Sequence, residues 1–74
     1  MTNTTRESRI YNADQEAKNT AFRLVPNAAT TGYTKAVEVL RYIQGSDKEP
    51  KFYSISKQQR MKAARLKYLA AVNA

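Results

Sequence analysis

Cysteine and histidine are both absent from this chain, and that absence limits what it can fold into more than any other feature. No disulfide can close a loop, and no Cys/His metal centre can staple the chain. The fold must be held by apolar packing alone, in a chain of 74 residues. Its sizeable apolar side chains are few: Ile10, Phe22, Leu24 and Val25 early, Val37, Val39, Leu40 and Ile43 in the middle, then Phe52, Ile55, Met61, Leu66, Leu69 and Val72. Five tyrosines add half-polar bulk. This supports one thin core, and domains of this size rarely draw more than ~3–5 kcal/mol from such a core. Completion by a larger complex or by homo-oligomerisation is therefore as natural a state as a marginal monomer.

Residues 1–8 are polar and aperiodic and read as a flexible arm, with residues 9–74 forming a single small domain. Residues 13–19 stay open. Asn12 followed by Gln15 fits a helix N-cap with its capping-box partner. Equally, Arg9–Tyr11 and Thr20–Val25 fit two short strands, with Phe22 and Leu24 on one strand face; a strand is favoured for 20–25. Pro26 ends either element. Gly32 breaks the loop that follows, and Thr34 can cap a helix over residues 35–44. Tyr33, Val37, Leu40 and Ile43 would form its buried stripe, and Gly45 stands where a C′ glycine belongs. Residues 45–51 form a turn, and Phe52–Ile55 is a short β-prone run. Ser56 with Gln59 is a capping-box pattern opening a helix over residues 57–72, rich in good helix formers. The expected fold is a small α+β domain with two helices and two or three short strands; an all-α arrangement is the alternative if residues 13–25 are helical.

Charge is distributed unevenly. The chain carries 13 Lys/Arg against 6 Asp/Glu, a net charge of +7. All six acids lie before residue 50, which leaves that part nearly neutral, whereas Lys51, Lys57, Arg60, Lys62, Arg65 and Lys67 follow with no acid among them. On a helical wheel Met61, Ala64, Tyr68 and Val72 cluster within about 80° as the buried stripe. Arg60 and Lys67 share one flank, Lys62 takes the other, Arg65 borders the stripe, and Leu66 points away from it with Ala63 and Ala70. A solvated helix whose cations serve solubility explains part of this. So does the affinity of cations for a helix C-terminus, which covers Arg65 and Lys67 but not the whole set. An anionic partner for those six cations covers all of them.

Nucleic-acid backbone is the first candidate partner, with the final helix neutralising phosphates. Tyr53 and Phe52 offer stacking faces, and Gln58 and Gln59 could touch base edges, although Phe52 suits the core and both glutamines are ordinary first-turn residues. A helix-turn-helix does not fit, because residues 45–56 are too long for the usual turn. An acidic surface of a larger protein complex is the second candidate, with Leu66 and Tyr68 as interface residues. The order strand, Leu24-Val25-Pro26, helix, glycine, strand is similar to that of the small phycobilisome core linkers, a resemblance that implies a linker or assembly role. A membrane surface ranks third: the helix has a poor apolar face, no window is long and apolar enough to span a bilayer, and the polar start lacks the apolar core of a secretory signal. A cytoplasmic location fits this composition. Catalysis is not expected. There is no histidine to activate a serine or threonine and no phosphate-cradling glycine motif. No cofactor is called for.

Overall fold

Three helices, Arg6–Leu24 (α1), Tyr33–Ile43 (α2) and Ile55–Asn73 (α3), make up the fold of the computed structural model, which describes residues 6–74. No strand occurs among the described residues, so the expected α+β fold is replaced by an all-α one. The sequence-predicted strand over residues 20–25 is the last turn of α1 and its exit. Its physical basis is a stripe of small side chains: Ala17, Ala21 and Leu24 are buried at i, i+4 and i+7, the spacing of a helix face. The Val25 N–H still donates to the Ala21 carbonyl at 3.3 Å before Pro26 ends the helix. With residues 20–25 helical, the strand-first element order shared with phycobilisome linkers is absent. Residues 6–8, part of the sequence-predicted arm, form the first turn of α1; residues 1–5 lie outside the described residues.

The loop from Val25 to Gly32 reverses the chain. Asn27 adopts a left-handed conformation (φ 55°), one of the few that asparagine tolerates. Its carbonyl then accepts from the N–H groups of Thr30 (3.0 Å) and Gly32 (2.7 Å). α2 runs back antiparallel to α1: Phe22 and Tyr33 meet edge to face near the loop, with centroids 6.1 Å apart, and Gln44 reaches Asp14 farther along α1. Gly32, not Thr34, is the N-cap. The buried face of α2 is Ala36, Val39, Tyr42 and Ile43; of the expected stripe Ile43 is fully buried and Leu40 packs against the core, whereas Val37 is half-buried and Tyr33 is exposed. The helix ends as the sequence predicts. Gly45 has φ 115°; its N–H donates to Tyr42 O and that of Ser46 to Arg41 O, both at 3.0 Å, the paired bonds of a Schellman motif.

α3 lies parallel to α2, since Arg65 stacks on Tyr42 and Leu69 sits beside Gly45. The chain must therefore travel back along the bundle before α3 begins, and residues 46–54 make that crossover. Phe52 and Tyr53, expected to be strand, belong to it. A strand needs a neighbour to take its ladder bonds, and here the Phe52 N–H donates instead to Gln58 Oε1 at 2.7 Å. The Gln58 amide N–H group donates in turn to the Pro50 carbonyl (3.1 Å) and to Glu49 Oε2 (2.7 Å). One side chain thus fastens three points of the crossover to the first turn of α3. Ser54, two residues earlier than expected, is the N-cap, and its Oγ accepts from the Lys57 N–H at 3.3 Å.

A polar clasp joins all three helical segments at Asp14. Its Oδ1 accepts from the Tyr68 hydroxyl at 2.6 Å and from the Gln44 amide at 3.2 Å. The hydrogen bond to Asp14, with burial and the carboxylate charge adding to it, pushes the Tyr68 hydroxyl up to about 12. The folded chain therefore holds this proton more tightly than an unfolded one, in which tyrosine ionises near 10. The stabilisation from the clasp is complete below pH ~10 and is lost as pH rises to about 12. Tyr68→Phe is expected to cost ~1–2 kcal/mol at neutral pH. In urea unfolding at pH 8 and pH 11.5, the gap between wild type and this variant should shrink at the higher pH.

Candidate functional site

Helix α1 is antiparallel to α3, and their facing flanks form a ladder of charged residues. Arg9 Nη2 donates to the backbone oxygen of Ala74 at 3.3 Å. Glu16 pairs with Lys67, whose Nζ lies 3.0 Å from Oε1 and donates to Oε2 at 3.1 Å. Arg23 follows Glu16 by seven residues and Arg60 precedes Lys67 by seven, close to two helical turns or about 10 Å in each case. The same register puts Arg60 on the flank of α3 that faces Arg23, although Arg60 is not among the residues that line the groove. An open groove of about 580 Å³ runs along this ladder, lined from α1 by Arg9, Asn12, Glu16, Asn19, Thr20 and Arg23 and from α3 by Ala64, Lys67, Tyr68 and Ala71. Alanines of both helices, Ala13 and Ala17 from α1 and Ala64 and Ala71 from α3, keep the groove open between the charged and polar side chains. Glu16 is the single acid of the lining, and Lys67 already neutralises it. Neither Arg23 nor Arg60 makes a salt bridge to a described residue.

The six cations expected to meet an anionic partner do not act as one set. Lys62 lies 3.5 Å from Glu49 on the flank of α3 away from the groove. There the hydrogen bond from Gln58, and then the charge of Lys62, hold the Glu49 carboxyl below its ordinary range. Arg65 is half-buried, its guanidinium 4.4 Å from the centroid of the Tyr42 ring, a cation–π contact that joins α3 to α2. Lys67 is the partner of Glu16. Lys51, Lys57 and Arg60 make no salt bridge with a described residue. Of these three only Arg60 is on the groove flank: Lys57 lies at the half-buried start of α3, and Lys51 is in the crossover.

The aromatic and apolar candidates also separate. Tyr53 is fully exposed. Tyr68 packs against the core and spends its hydroxyl on Asp14. Phe52 packs on the core as well, with Lys35 Nζ 4.5 Å over its ring; the same ammonium donates to the Lys51 carbonyl. Gln58, offered with Gln59 for base edges, is fully engaged in the crossover, whereas Gln59 is exposed. Leu66 is 71% exposed, on the outward side of α3 as expected.

Arg9, Arg23 and the amides of α1 were missed by the sequence reading. The acids around them make that segment nearly neutral, and only the antiparallel register shows that Arg9 and Arg23 share a flank with Lys67. The heptad spacings Arg9–Glu16–Arg23 and Arg60–Lys67 are the one signal that a sequence could have offered. No group of metal-ligating side chains occurs among the described residues, and no described helix is long and apolar enough to cross a membrane. The chain matches no family model, no curated protein and no solved structure.

Proposed function

We propose that this domain is a non-enzymatic binding module that holds nucleic-acid backbone in the groove between α1 and α3. The observation that carries the reading is the cationic lining of the groove, where Arg9, Arg23 and Lys67 stand against the single acid Glu16, with Arg60 two turns before Lys67 on the same flank of α3. An excess of like charge along one groove is unfavourable by itself, and phosphates laid along it turn that excess into charge-assisted hydrogen bonds. Lys67 extends the cationic track by about two turns and Arg9 by about four, and Asn12, Asn19 and Thr20 are the neutral side-chain types that donate to phosphate oxygens. The exposed Glu16–Lys67 pair is weak enough to open, releasing Lys67 to a phosphate.

Four contacts from Arg9, Arg23, Arg60 and Lys67 imply a slope of log affinity against log salt of about −3 on single strands and about −4 on duplex. The test is fluorescence anisotropy with a labelled oligonucleotide, single-stranded and duplex, between about 50 and 200 mM salt. The double variant Arg23→Glu/Arg60→Glu should lower affinity at least about tenfold and flatten the slope, whereas Lys62→Glu, on the opposite flank, should change it far less. Absence of binding at the lowest salt, or equal losses from the two variants, would overturn the reading.

A further inference from the structure

The outward face of α3, turned away from both the core and the groove, is an apolar seam with cations on its two sides. Ile55 and Leu66 are 75% and 71% exposed, and Gln59, Ala63 and Ala70 are exposed on the same side. These five residues follow the spacing i, i+4, i+8, i+11, i+15, a continuous line along one helix face about 22 Å long. Ala63 and Ala70 flank Leu66 by three and four residues, so a neighbouring backbone can come close on either side of that side chain. This is the arrangement of a knob beside open holes that helix pairing uses. Lys62 borders the seam on one side and Arg60 and Lys67 on the other; Lys62 and Lys67 sit in exposed pairs with Glu49 and Glu16, weak enough to exchange partners, Arg60 makes no salt bridge to a described residue, and α3 itself contains no acidic residue.

We infer that this face docks an acidic amphipathic helix of a partner protein, with Leu66 seated in the partner's apolar stripe and Lys62, Arg60 and Lys67 facing its carboxylates. Charge selects the occupant. A second copy of this chain would bring Lys62, Arg60 and Lys67 against their own counterparts with no acid on either helix, which disfavours self-pairing. A phosphate backbone would use the cations but leave Ile55 and Leu66 without a counterpart, whereas a helix with leucines on one face and glutamates beside them satisfies both. The seam is a different face of α3 from the one that lines the groove through Ala64 and Ala71; it shares Arg60 and Lys67 with the groove but does not need Arg9 or Arg23.

The probe is a synthetic helix of roughly three heptads with Leu at a and d and Glu at e and g, whose glutamate rows keep it from pairing with itself at neutral pH. A peptide of the same composition with the leucines scattered serves as the charge-matched control. By isothermal titration calorimetry the amphipathic peptide should bind in the micromolar range expected of a small transient interface. The control should bind at least about tenfold more weakly. Leu66→Ser, and separately Ala70→Glu, should each lower affinity for the amphipathic peptide about tenfold or more; both positions are exposed, and circular dichroism verifies that each variant stays folded. Arg23→Glu should leave peptide binding unchanged while impairing oligonucleotide binding, which keeps this test distinct from that of the groove. Equal binding of the two peptides, a Leu66-dependent dimer in sedimentation velocity, or loss of oligonucleotide rather than peptide affinity on Leu66→Ser would each overturn the inference.

Discussion

Gly32→Ala should destabilise the domain by about 2–3 kcal/mol, the upper part of the range for overpacking a tight site. The carbonyl of Asn27 accepts the N–H groups of both Thr30 and Gly32, which folds the loop tightly against the start of α2. A Cβ on residue 32 would stand 2.3 Å from the Pro26 carbonyl oxygen and 2.9 Å from Val25 Cγ1. The first of these atoms belongs to the backbone and cannot rotate away, and the second belongs to a buried side chain. Relief requires opening the turn, which loses the 2.7 Å bond from Gly32 to Asn27 and shifts α2 on α1. In a domain whose core supplies ~3–5 kcal/mol, the variant should melt about 10–25 °C lower or be largely unfolded at 37 °C. Thermal unfolding followed at 222 nm measures this. Gly45→Ala is the informative comparison. There the added Cβ meets only Leu69 Cδ2 at an ordinary 3.6 Å, so the cost is that of a left-handed alanine at φ 115°, about 1–2 kcal/mol. Gly32 should be the more sensitive position although its own φ of −91° is unremarkable.

The sequence disclosed the parts of the fold that bulky residues build and concealed those that alanines build. α3 was legible because Met61 and Tyr68 mark its inner face, with Ala64 between them. The end of α2 was legible because a Schellman motif demands a residue tolerant of positive φ, and Gly45 stands at that point. α1 was not, because its buried stripe is Ala17, Ala21 and Leu24. Two of these three bury little area and so looked uninformative, while the bulkier alternation of Phe22 and Leu24 suggested a strand. Phe22 in fact sits on the helix flank against Tyr33, and small residues on the inner face are what allow α1 to approach α2 and α3 closely. The inner face of α2 was misplaced in part for the same reason, since Ala36 and Val39 were weighed below Tyr33 and Val37. The groove was hidden at a deeper level. The basic surplus of the last third is plain from composition, but pairing it with Arg9 and Arg23 depends on a helix register set by contacts 51 and 54 residues apart in sequence, those of Lys67 with Glu16 and of Tyr68 with Asp14. Local pattern carries no information about such contacts.

The attachment of α3 turns on Met61, and Met61→Ala should cost about 2–4 kcal/mol, within the range for truncating a large buried side chain. Met61 has no exposed surface and is the one buried residue of α3. The other contacts of this helix with the bundle are partly buried: Ala64 and Tyr68 against the core, and Arg65 over Tyr42. None of them refills the space that a shortened residue 61 leaves, because a buried cavity collapses only when its neighbours are free to move, and fully buried Ile43 and Val39 belong to the rigid face of α2. The same loss should also weaken the groove, since α3 supplies one of its two walls. Oligonucleotide affinity should fall in Met61→Ala even though residue 61 touches no solvent. Leu66→Ala is the counterpart, five residues on and on the opposite side of the same helix: as an exposed substitution it should shift stability by no more than ~0.5 kcal/mol. Urea unfolding of the two variants therefore measures how α3 is rotated on the bundle. A large loss at Met61 with none at Leu66 is the result required by a helix that turns its methionine inward and presents its leucine, lysines and Arg60 to a partner. Comparable losses at both positions would mean that Leu66 is covered in the isolated chain, and the outward seam would then be part of the core.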